Sequence, residues 1–408
     1  MPSPVQTAIR GVVKKGVLAV ADFNRVRRKA KKPNVYVEGI HTPLTEEITE
    51  TNPKVTGEIP AGLNGLYVRN GPNPVSPVNP ASHHWFAGDG MLHGVRLQDG
   101  KALWYRNRWV RSNGVSDALG EPRAPGPRHP RIDIANTNIV GHAGKIWAIV
   151  EAGGYPVEVS EDLDTRAHSD FEGTLGESYS AHPHYDPDTG EMHAICYEAM
   201  QPDLLWHKVV GPDGRVRRDE PIPVQHGPMV HDCMITKNYV IVMDLPVTFS
   251  MSAVISGMNF PYRWNPKHKA RIGLLPREGK AEDIVWCEVA PCYIFHPTNA
   301  YETEDGKVVM DACVYDFMFA PESTGPDAVA KFETLTIDPA TKYTTRRLID
   351  RQPQDFPRFD ERLIGKPYRY AYTTAVSDDG EAGFLTETRI FKHDLADGTR
   401  EDHDFGPG

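Results

Sequence analysis

Three of the 17 histidines lie in similar short contexts, and imidazole is a side chain well suited to binding a transition metal. His182 precedes a predicted hairpin, and His231 and His296 each precede a predicted strand. They are 49 and 65 residues apart (231 − 182 and 296 − 231), about one blade of a repeated β-fold or slightly more. Three histidines on rigid strands could therefore meet on one axis and leave coordination positions open for water, dioxygen or substrate.

Spacing alone leaves other interpretations of these histidines open. Buried histidines are more often hydrogen-bonded core residues than metal ligands. Three-histidine sites also bind zinc, so the pattern does not choose the metal. The five cysteines include no C-x-x-C pair, and we predict that they are buried, reduced thiols.

The elements that must position these histidines are short β-strands. Runs rich in Val, Ile, Tyr, Trp and Phe are bounded by turn residues and predict strands at Gly65–Asn70, Lys145–Glu151, Glu191–Glu198, Tyr239–Leu245, Lys307–Tyr315 and Phe332–Asp338. Hairpin turns are predicted at 186–190 and 378–380. Helical periodicity is nearly absent after the N-terminus, so we expect an all-β domain. A barrel, a pair of sandwiches and a propeller all remain open, because no blade-by-blade repeat is visible.

Charge divides the chain into a basic N-terminal segment, residues 1–34, and an acidic body, residues 35–408. The segment has nine Lys and Arg residues against Asp22 alone, a net charge of +8. Because the whole chain carries −10, the body carries −18. An acidic body argues against nucleic acid as the main partner, since phosphate binding requires a basic surface.

The N-terminal segment also carries apolar residues on one helical face: Val5, Ile9, Val12, Val13, Val17, Val20 and Phe23. A basic amphipathic helix can lie on an anionic membrane, and a disordered tail is the alternative. The sequence has no apolar run long enough to cross a bilayer and no convincing signal peptide. We therefore expect a cytoplasmic protein, with peripheral membrane contact as an open possibility.

Longer motifs resemble the carotenoid cleavage oxygenases, particularly the bacterial members. The resemblance begins with GLYVRNGPNP at 65–74 and HWFAGDGMLHG at 84–94. It continues through YRNR at 105–108, ANTN at 135–138, the three histidine motifs and DFPRFDER at 355–362. These segments follow the family's order from about Asn34 to the end of the chain.

This resemblance implies a seven-bladed β-propeller with one Fe(II) on its axis, bound by four histidines. His182, His231 and His296 match the first three of these ligands. Family members use dioxygen as cosubstrate, need neither haem nor an organic cosubstrate, and cleave a conjugated C=C bond into two carbonyl products.

The family also places acidic residues behind its iron-binding histidines, where they accept the outer ring N–H. Glu151 matches the first of these residues, and Asp355 matches the second, where relatives usually have Glu. Because Asp is one methylene shorter, we expect a shorter reach there, with a bridging water between the carboxylate and its histidine.

Relatives continue past the segment that matches Gly406–Gly408 into a further strand and a Phe-His-Gly motif with the fourth ligand. We therefore expect the last blade to be incomplete in these 408 residues and the fourth histidine to be missing. The late histidines, His393 and His403, match non-ligand positions. A catalytically inactive scaffold that binds a lipid or a metal is accordingly the alternative function.

The substrate implied by the resemblance is a lipophilic polyene, a carotenoid or an apocarotenoid. Apolar residues in Val247–Trp264 and Tyr315–Phe319 match regions that line the substrate tunnel of relatives and its mouth, although ordinary packing between blades would also explain many of them. Stilbene-cleaving relatives tend to have Lys before the acidic residue at position 151, and Val150 disfavours that activity here. The oligomeric state is not predicted.

Overall fold

The computed structural model describes residues 16–17, 19–29, 34–130, 132–320, 328–376 and 387–406. β-Strands dominate these residues. The strands are β1 Thr49–Thr51, β2 Gly65–Pro72, β3 Gly90–Gln98, β4 Lys101–Trp109, β5 Asn138–His142, β6 Lys145–Ile149, β7 Val157–Val159, β8 Thr165–His168, β9 His184–Asp186, β10 Glu191–Tyr197, β11 Leu204–Val210, β12 Val216–Pro223, β13 Met234–Ile235, β14 Tyr239–Asp244, β15 Val247–Phe249, β16 Tyr262–Trp264, β17 Arg271–Pro276, β18 Val285–Glu288, β19 Tyr293–Glu302, β20 Val308–Tyr315, β21 Lys331–Asp338, β22 Tyr343–Asp350, β23 Gln354–Arg358, β24 Tyr370–Ala375, β25 Arg389–Asp394 and β26 Thr399–Asp404.

Helices are short and lie between the strands. Residues 19–27 are helical, and the other helical elements are the α-helices Asn113–Leu119 and Met251–Ile255 and the 3₁₀ turns Gly39–His41, Trp85–Ala87, Ala281–Asp283 and Glu361–Leu363. None of the described helices is both long enough and apolar enough to span a bilayer. Residues 1–15, 18 and 30–33 of the basic segment lie outside the described residues, so the choice between an amphipathic helix and a tail stays open for them.

The strands form antiparallel sheets of four. Their orders are β1-β4-β3-β2, β5-β6-β7-β8, β12-β11-β10-β9 and β23-β24-β25-β26. An eight-stranded sheet consists of two further meanders, β13-β14-β17-β18 and β22-β21-β20-β19, joined where β18 pairs in parallel with β22. Strands β15 and β16 form a separate two-stranded ribbon.

Edge strands of successive four-stranded sheets or meanders contact one another: β2 lies against β5, β13 against β19, and β19 against β23. Side-chain amides connect them. The Asn70 side chain on β2 donates to the Ala135 and Asn138 carbonyls, and Asn138 on β5 donates to the Ala181 carbonyl before β9. Asn299 on β19 donates to two carbonyls that follow β23. The sheets therefore have a propeller-like arrangement, and the all-β prediction is confirmed.

Each predicted strand overlaps an observed one within about two residues at either end. The turn at 186–190 is also confirmed, because the Gly190 amide donates to the Asp186 carbonyl at 2.8 Å. The turn predicted at 378–380 lies outside the described residues. All five cysteines are free and buried, as predicted. The largest apolar cluster extends from β10 across the eight-stranded sheet to β24, and it includes the chain neighbours of two of the three histidines, His231 and His296.

Candidate metal centre

The three histidines predicted as ligands converge. His182 lies two residues before β9, His231 three residues before β13, and His296 on β19. The ring of His182 lies 4.4 Å from that of His231 and 5.4 Å from that of His296, measured between centroids. One ring nitrogen from each residue lies within 4.8 Å of the other two.

Two carboxylates determine how two of the rings are oriented. Nδ1 of His231 lies 2.8 Å from Glu151 Oε1, and Nδ1 of His296 lies 3.0 Å from Asp355 Oδ1. An ionised carboxylate only accepts hydrogen bonds, so each Nδ1 carries the proton and donates it. The lone pair of each histidine is therefore on Nε2, and the two Nε2 atoms are 3.2 Å apart. This tautomer leaves Nε2 of both rings free to bind a metal.

The expectation of a bridging water behind His296 is wrong, because Asp355 reaches Nδ1 directly. Asp355 lies on β23, which contacts β19, and its side chain is fully buried. The next residue, Phe356, has φ of 53°, and its amide donates to the same carboxylate oxygen, Oδ1, at 2.7 Å. The close approach of the two strands thus compensates for the shorter side chain.

The third histidine differs from the other two. Nε2 of His182 is buried and has no hydrogen-bond partner among the described residues. Burial, followed by the neighbouring His231 and His296, holds the pKa of His182 well below its ordinary value, so its ring is neutral. Burial also lowers the pKa of His231, but the Glu151 carboxylate outweighs it and the net shift is upward.

These features fit a bound transition metal. A buried, unpartnered nitrogen is costly unless something occupies it, and His182 offers such a nitrogen beside the other two histidines. Two nitrogens bound at a right angle to a metal, with bonds of about 2.1 Å, lie about 3 Å apart. The observed 3.2 Å between the Nε2 atoms of His231 and His296 agrees with that value. The three imidazoles do not by themselves choose between iron and zinc.

Comparison with known proteins places this centre in a family. The family model described as "Retinal pigment epithelial membrane protein" matches residues 41–408. The carotenoid cleavage oxygenase of Mycobacterium tuberculosis is 41% identical over 91% of this chain and 83% of its own length. The chain belongs to the carotenoid cleavage oxygenase family. The carotenoid 9,10(9',10')-cleavage dioxygenase 1 of Phaseolus vulgaris is 32% identical over 89% of this chain and 72% of its own.

Solved structures agree with this family assignment. A variant of Synechocystis apocarotenoid oxygenase superposes with a TM-score of 0.78 at 25% identity, covering 93% of this chain and 85% of that one. The cobalt-substituted form of that enzyme gives 0.75 at 26% identity, covering 90% and 82%. The lignostilbene dioxygenase of Pseudomonas brassicacearum gives 0.80 at 24% identity, covering 93% and 85%, and shows a shared fold.

In this oxygenase the histidines lie between two cavities. An apolar cavity of about 260 Å³ is lined by all three histidines and by Trp85, Phe86, Phe295, Met318, Phe319 and Phe356. The ring of Phe295 packs edge-on against His231 at 5.1 Å. A second cavity of about 420 Å³ touches His182 and His296 and is lined by polar groups that include His184, Asp232 and Thr298. The centre therefore has an apolar side suited to hydrocarbon and a polar side.

The residues matched to the substrate tunnel divide between two environments. Met318 and Phe319 line the apolar cavity, as predicted from the resemblance. Residues of Val247–Trp264 do not line this cavity. Phe260 packs behind the lining against His84, with 4.4 Å between ring centroids. Met251 and Ile255 are exposed. The alternative of ordinary packing thus explains Phe260.

The other motif histidines have structural partners. His93 hydrogen-bonds to the Tyr105 hydroxyl at 2.8 Å, and His184 to Asp232 at 2.7 Å. His393 is buried and bonded to the Gln354 side chain, whereas His403 is exposed. Asp89 accepts from the Val75 amide in a turn.

Sequence reasoning missed two tyrosines behind the acidic residues. The hydroxyl of Tyr197 donates to Glu151 Oε2 at 2.8 Å, and that of Tyr315 donates to Asp355 Oδ2. Tyr315 was matched to the tunnel wall, but it is fully buried and outside the cavity lining. A tyrosine at the end of a buried strand has no sequence signal that separates it from core packing.

Proposed function

We propose that this protein is a non-haem iron(II) dioxygenase, with one iron per chain, that cleaves a conjugated C=C bond of a carotenoid or apocarotenoid into two carbonyl products. The observation that carries the proposal is the convergence of three imidazoles, two of them fixed by carboxylates, on the wall of an apolar aromatic cavity. Each product takes one atom of dioxygen, so the reaction balances without an external reductant or proton.

The chain's own groups have distinct parts in this reaction. Nε2 of His182, His231 and His296 would hold the iron, which supplies the redox chemistry that activates dioxygen. Glu151 and Asp355 hold the protons on Nδ1 of two of these histidines and keep their rings from turning. The hydrogen bond from His231 in turn stabilises the Glu151 carboxylate, because a charge largely removed from water is unfavourable without a partner.

The apolar cavity supports the choice of substrate. Phe86, Phe295, Phe319 and Phe356 offer flat apolar surfaces to a planar polyene and keep water away from the reacting bond. Val150, next to Glu151, is buried and apolar and offers no cation to a phenol. A polyene is accordingly favoured over a phenolic stilbene.

Product analysis tests the proposal. Protein loaded anaerobically with Fe(II) is assayed for metal content and then given a carotenoid, an apocarotenal or a hydroxystilbene under ¹⁸O₂. We expect one iron per chain and two carbonyl products from a polyene, each carrying one ¹⁸O when trapped at once. His182→Ala should lose both iron and product, whereas the exposed control His403→Ala should keep both. Iron well below one per chain with no carbonyl product would favour the inactive scaffold.

We also propose peripheral membrane contact by a cytoplasmic protein, through an apolar patch made of Val20, Phe23, Val26, Met251 and Ile255. All five are exposed. The two helical segments are joined, because the Asn24 side chain donates to the Ile255 carbonyl at 2.7 Å and Arg28 donates to the Ser256 carbonyl at 3.2 Å. Exposed apolar groups beside Arg27 and Arg28 suit an anionic bilayer that contains polyenes.

Vesicle flotation tests this contact. Phe23→Ser combined with Ile255→Ser should reduce binding to vesicles containing anionic lipid, whereas the exposed Tyr67→Ser should not. Equal flotation of the two variants would refute the patch. The seven-bladed ring remains a prediction, which an experimental structure that counts the blades would test.

A further inference from the structure

Each acidic residue of the centre uses both of its oxygens. Glu151 accepts from His231 through Oε1 and from the Tyr197 hydroxyl through Oε2, at 2.8 Å in both cases. Asp355 accepts from His296 through Oδ1 and from the Tyr315 hydroxyl through Oδ2. The same three-member arrangement, tyrosine to carboxylate to histidine, therefore occurs twice on the two sides of one centre.

The two arrangements come from unrelated parts of the chain. Tyr197 ends β10 in the third sheet, and Tyr315 ends β20 in the eight-stranded sheet. Both rings are buried, with 4% and 0% of their surface exposed, so bulk water does not compete for the hydroxyl protons. Neither tyrosine lines the apolar cavity. Contact with substrate therefore does not account for their position.

A phenol hydroxyl changes the carboxylate that it contacts in two ways. It fixes the plane of the carboxylate, which otherwise turns about its last side-chain torsion. It also draws negative charge from the carboxylate, so the carboxylate attracts the Nδ1 proton of the histidine less strongly. A histidine whose Nδ1 proton is held less strongly by its acceptor is a weaker electron donor at Nε2. Weaker donation favours a divalent metal over the trivalent form.

We propose that Tyr197 and Tyr315 are positioning residues that fix the two carboxylates and thereby keep the metal centre in the divalent state. The inference rests on the proposed function, because it assumes that the three histidines bind the metal. It predicts that removing either hydroxyl makes the bound metal easier to oxidise, without opening the cavity or changing any ligand.

The reduction potential of the iron-loaded protein is the direct measurement. Tyr197→Phe and Tyr315→Phe should each change the ratio of Fe(III) to Fe(II) binding constants about three- to tenfold in favour of Fe(III), a smaller effect than the loss of a group that contacts a ligand directly. This corresponds to a potential lower by about 30 to 60 mV, at 59 mV per tenfold change for one electron. In air and without substrate, the Fe(II) form of each variant should also oxidise faster than that of the wild type.

Tyr293→Phe is the matched control. Tyr293 is equally buried and packs edge-on against Phe295, but its hydroxyl donates to the Met229 carbonyl at 3.2 Å rather than to a carboxylate. Its removal should lower stability by about 1 kcal/mol, as for any buried hydroxyl, and leave the potential unchanged. A Glu151→Gln background supplies a second control, because Tyr197→Phe should lose its effect there.

The outcomes are distinguishable. If the wild-type protein binds no iron, the proposed function fails before the tyrosines are tested. If it binds iron, but Tyr197→Phe and Tyr315→Phe shift the potential no more than Tyr293→Phe does, only the tyrosine inference is overturned. If Tyr315→Phe does not fold, Tyr197→Phe decides the question, since the two arrangements are predicted to act in the same direction.

Discussion

Two stacked histidines between β10 and β11 should make the stability of this oxygenase depend on pH. The Arg218 guanidinium donates from Nε to Nδ1 of His207 at 3.1 Å, so the proton of His207 is on Nε2. That nitrogen lies 3.2 Å from Nδ1 of His193, which must accept. Both rings are completely buried, 5.5 Å apart and nearly parallel. A second proton on either ring would bring two N–H groups together.

The direction and the size of this change in stability follow from the pKa of His193. Burial, followed by the charge of Arg277, lowers its pKa from 6.5 to about 4. The unfolded chain therefore binds a proton in the window between pH 6.5 and 4 that the folded chain does not. The neutral ring stabilises the fold above pH 6.5, and this contribution falls as the pH drops to 4. Between pH 7 and pH 5 the loss is about 2 kcal/mol for this one residue.

Urea unfolding at pH 7 and pH 5 measures the effect. The wild-type free energy of unfolding should fall by at least about 2 kcal/mol, and His193→Gln should reduce that fall by about 2 kcal/mol whatever its stability at pH 7. The exposed His403→Gln should behave as wild type. If the pH-dependent fall in His193→Gln equals that of wild type within about 0.5 kcal/mol, the assignment of a neutral, buried His193 is refuted.

Three further predictions concern the metal centre and the contacts between sheets. Asp355→Ala should weaken Co²⁺ binding about 10- to 100-fold by calorimetry, because His296 loses the acceptor of its Nδ1 proton, whereas the exposed Asp360→Ala should not. Asn299→Ala should lower the free energy of urea unfolding by about 2 kcal/mol, since the buried Asn299 side chain makes three hydrogen bonds to the backbone. An effect no larger than that of the exposed Asn64→Ala would contradict this. Gly90→Ala should cost about 3 kcal/mol in the same assay, because a Cβ there would lie 2.0 Å from the Ala135 carbonyl oxygen, whereas Gly71→Ala on β2 has open space and should be nearly neutral.

Much of the fold could be predicted from residue type and turn chemistry. The strand Glu191–Tyr197 is rich in apolar and aromatic residues and follows an Asp-Pro-Asp-Thr-Gly turn, so its position is locally determined. The pairing of β18 with β22, which joins two meanders into one sheet, has no such signal. It depends on contacts between segments more than fifty residues apart, and local pattern does not report these.

The metal centre also combines features that local sequence predicts with features that depend on long-range contacts. His182, His231 and His296 were recognisable because imidazole is a specific ligand and the surrounding motifs match a family. Their convergence on one centre was also predicted, but its geometry, with one nitrogen of each ring within 4.8 Å of the other two, was not, because it depends on the way the inner strands of several sheets converge. The bridging water expected behind His296 was wrong for the same reason, since side-chain length does not tell how closely β23 approaches β19.

The sequence by itself therefore determined which chemistry is available: three imidazoles, the acidic residues Glu151 and Asp355, and apolar residues for a polyene. Only the tertiary structure decided which nitrogen of each ring is free, which carboxylate oxygen is shared, and that Tyr197 and Tyr315 complete the arrangement. The physical reason is that residue type is local, whereas a hydrogen bond of about 3 Å between residues 40 or more positions apart exists only once the sheets have packed.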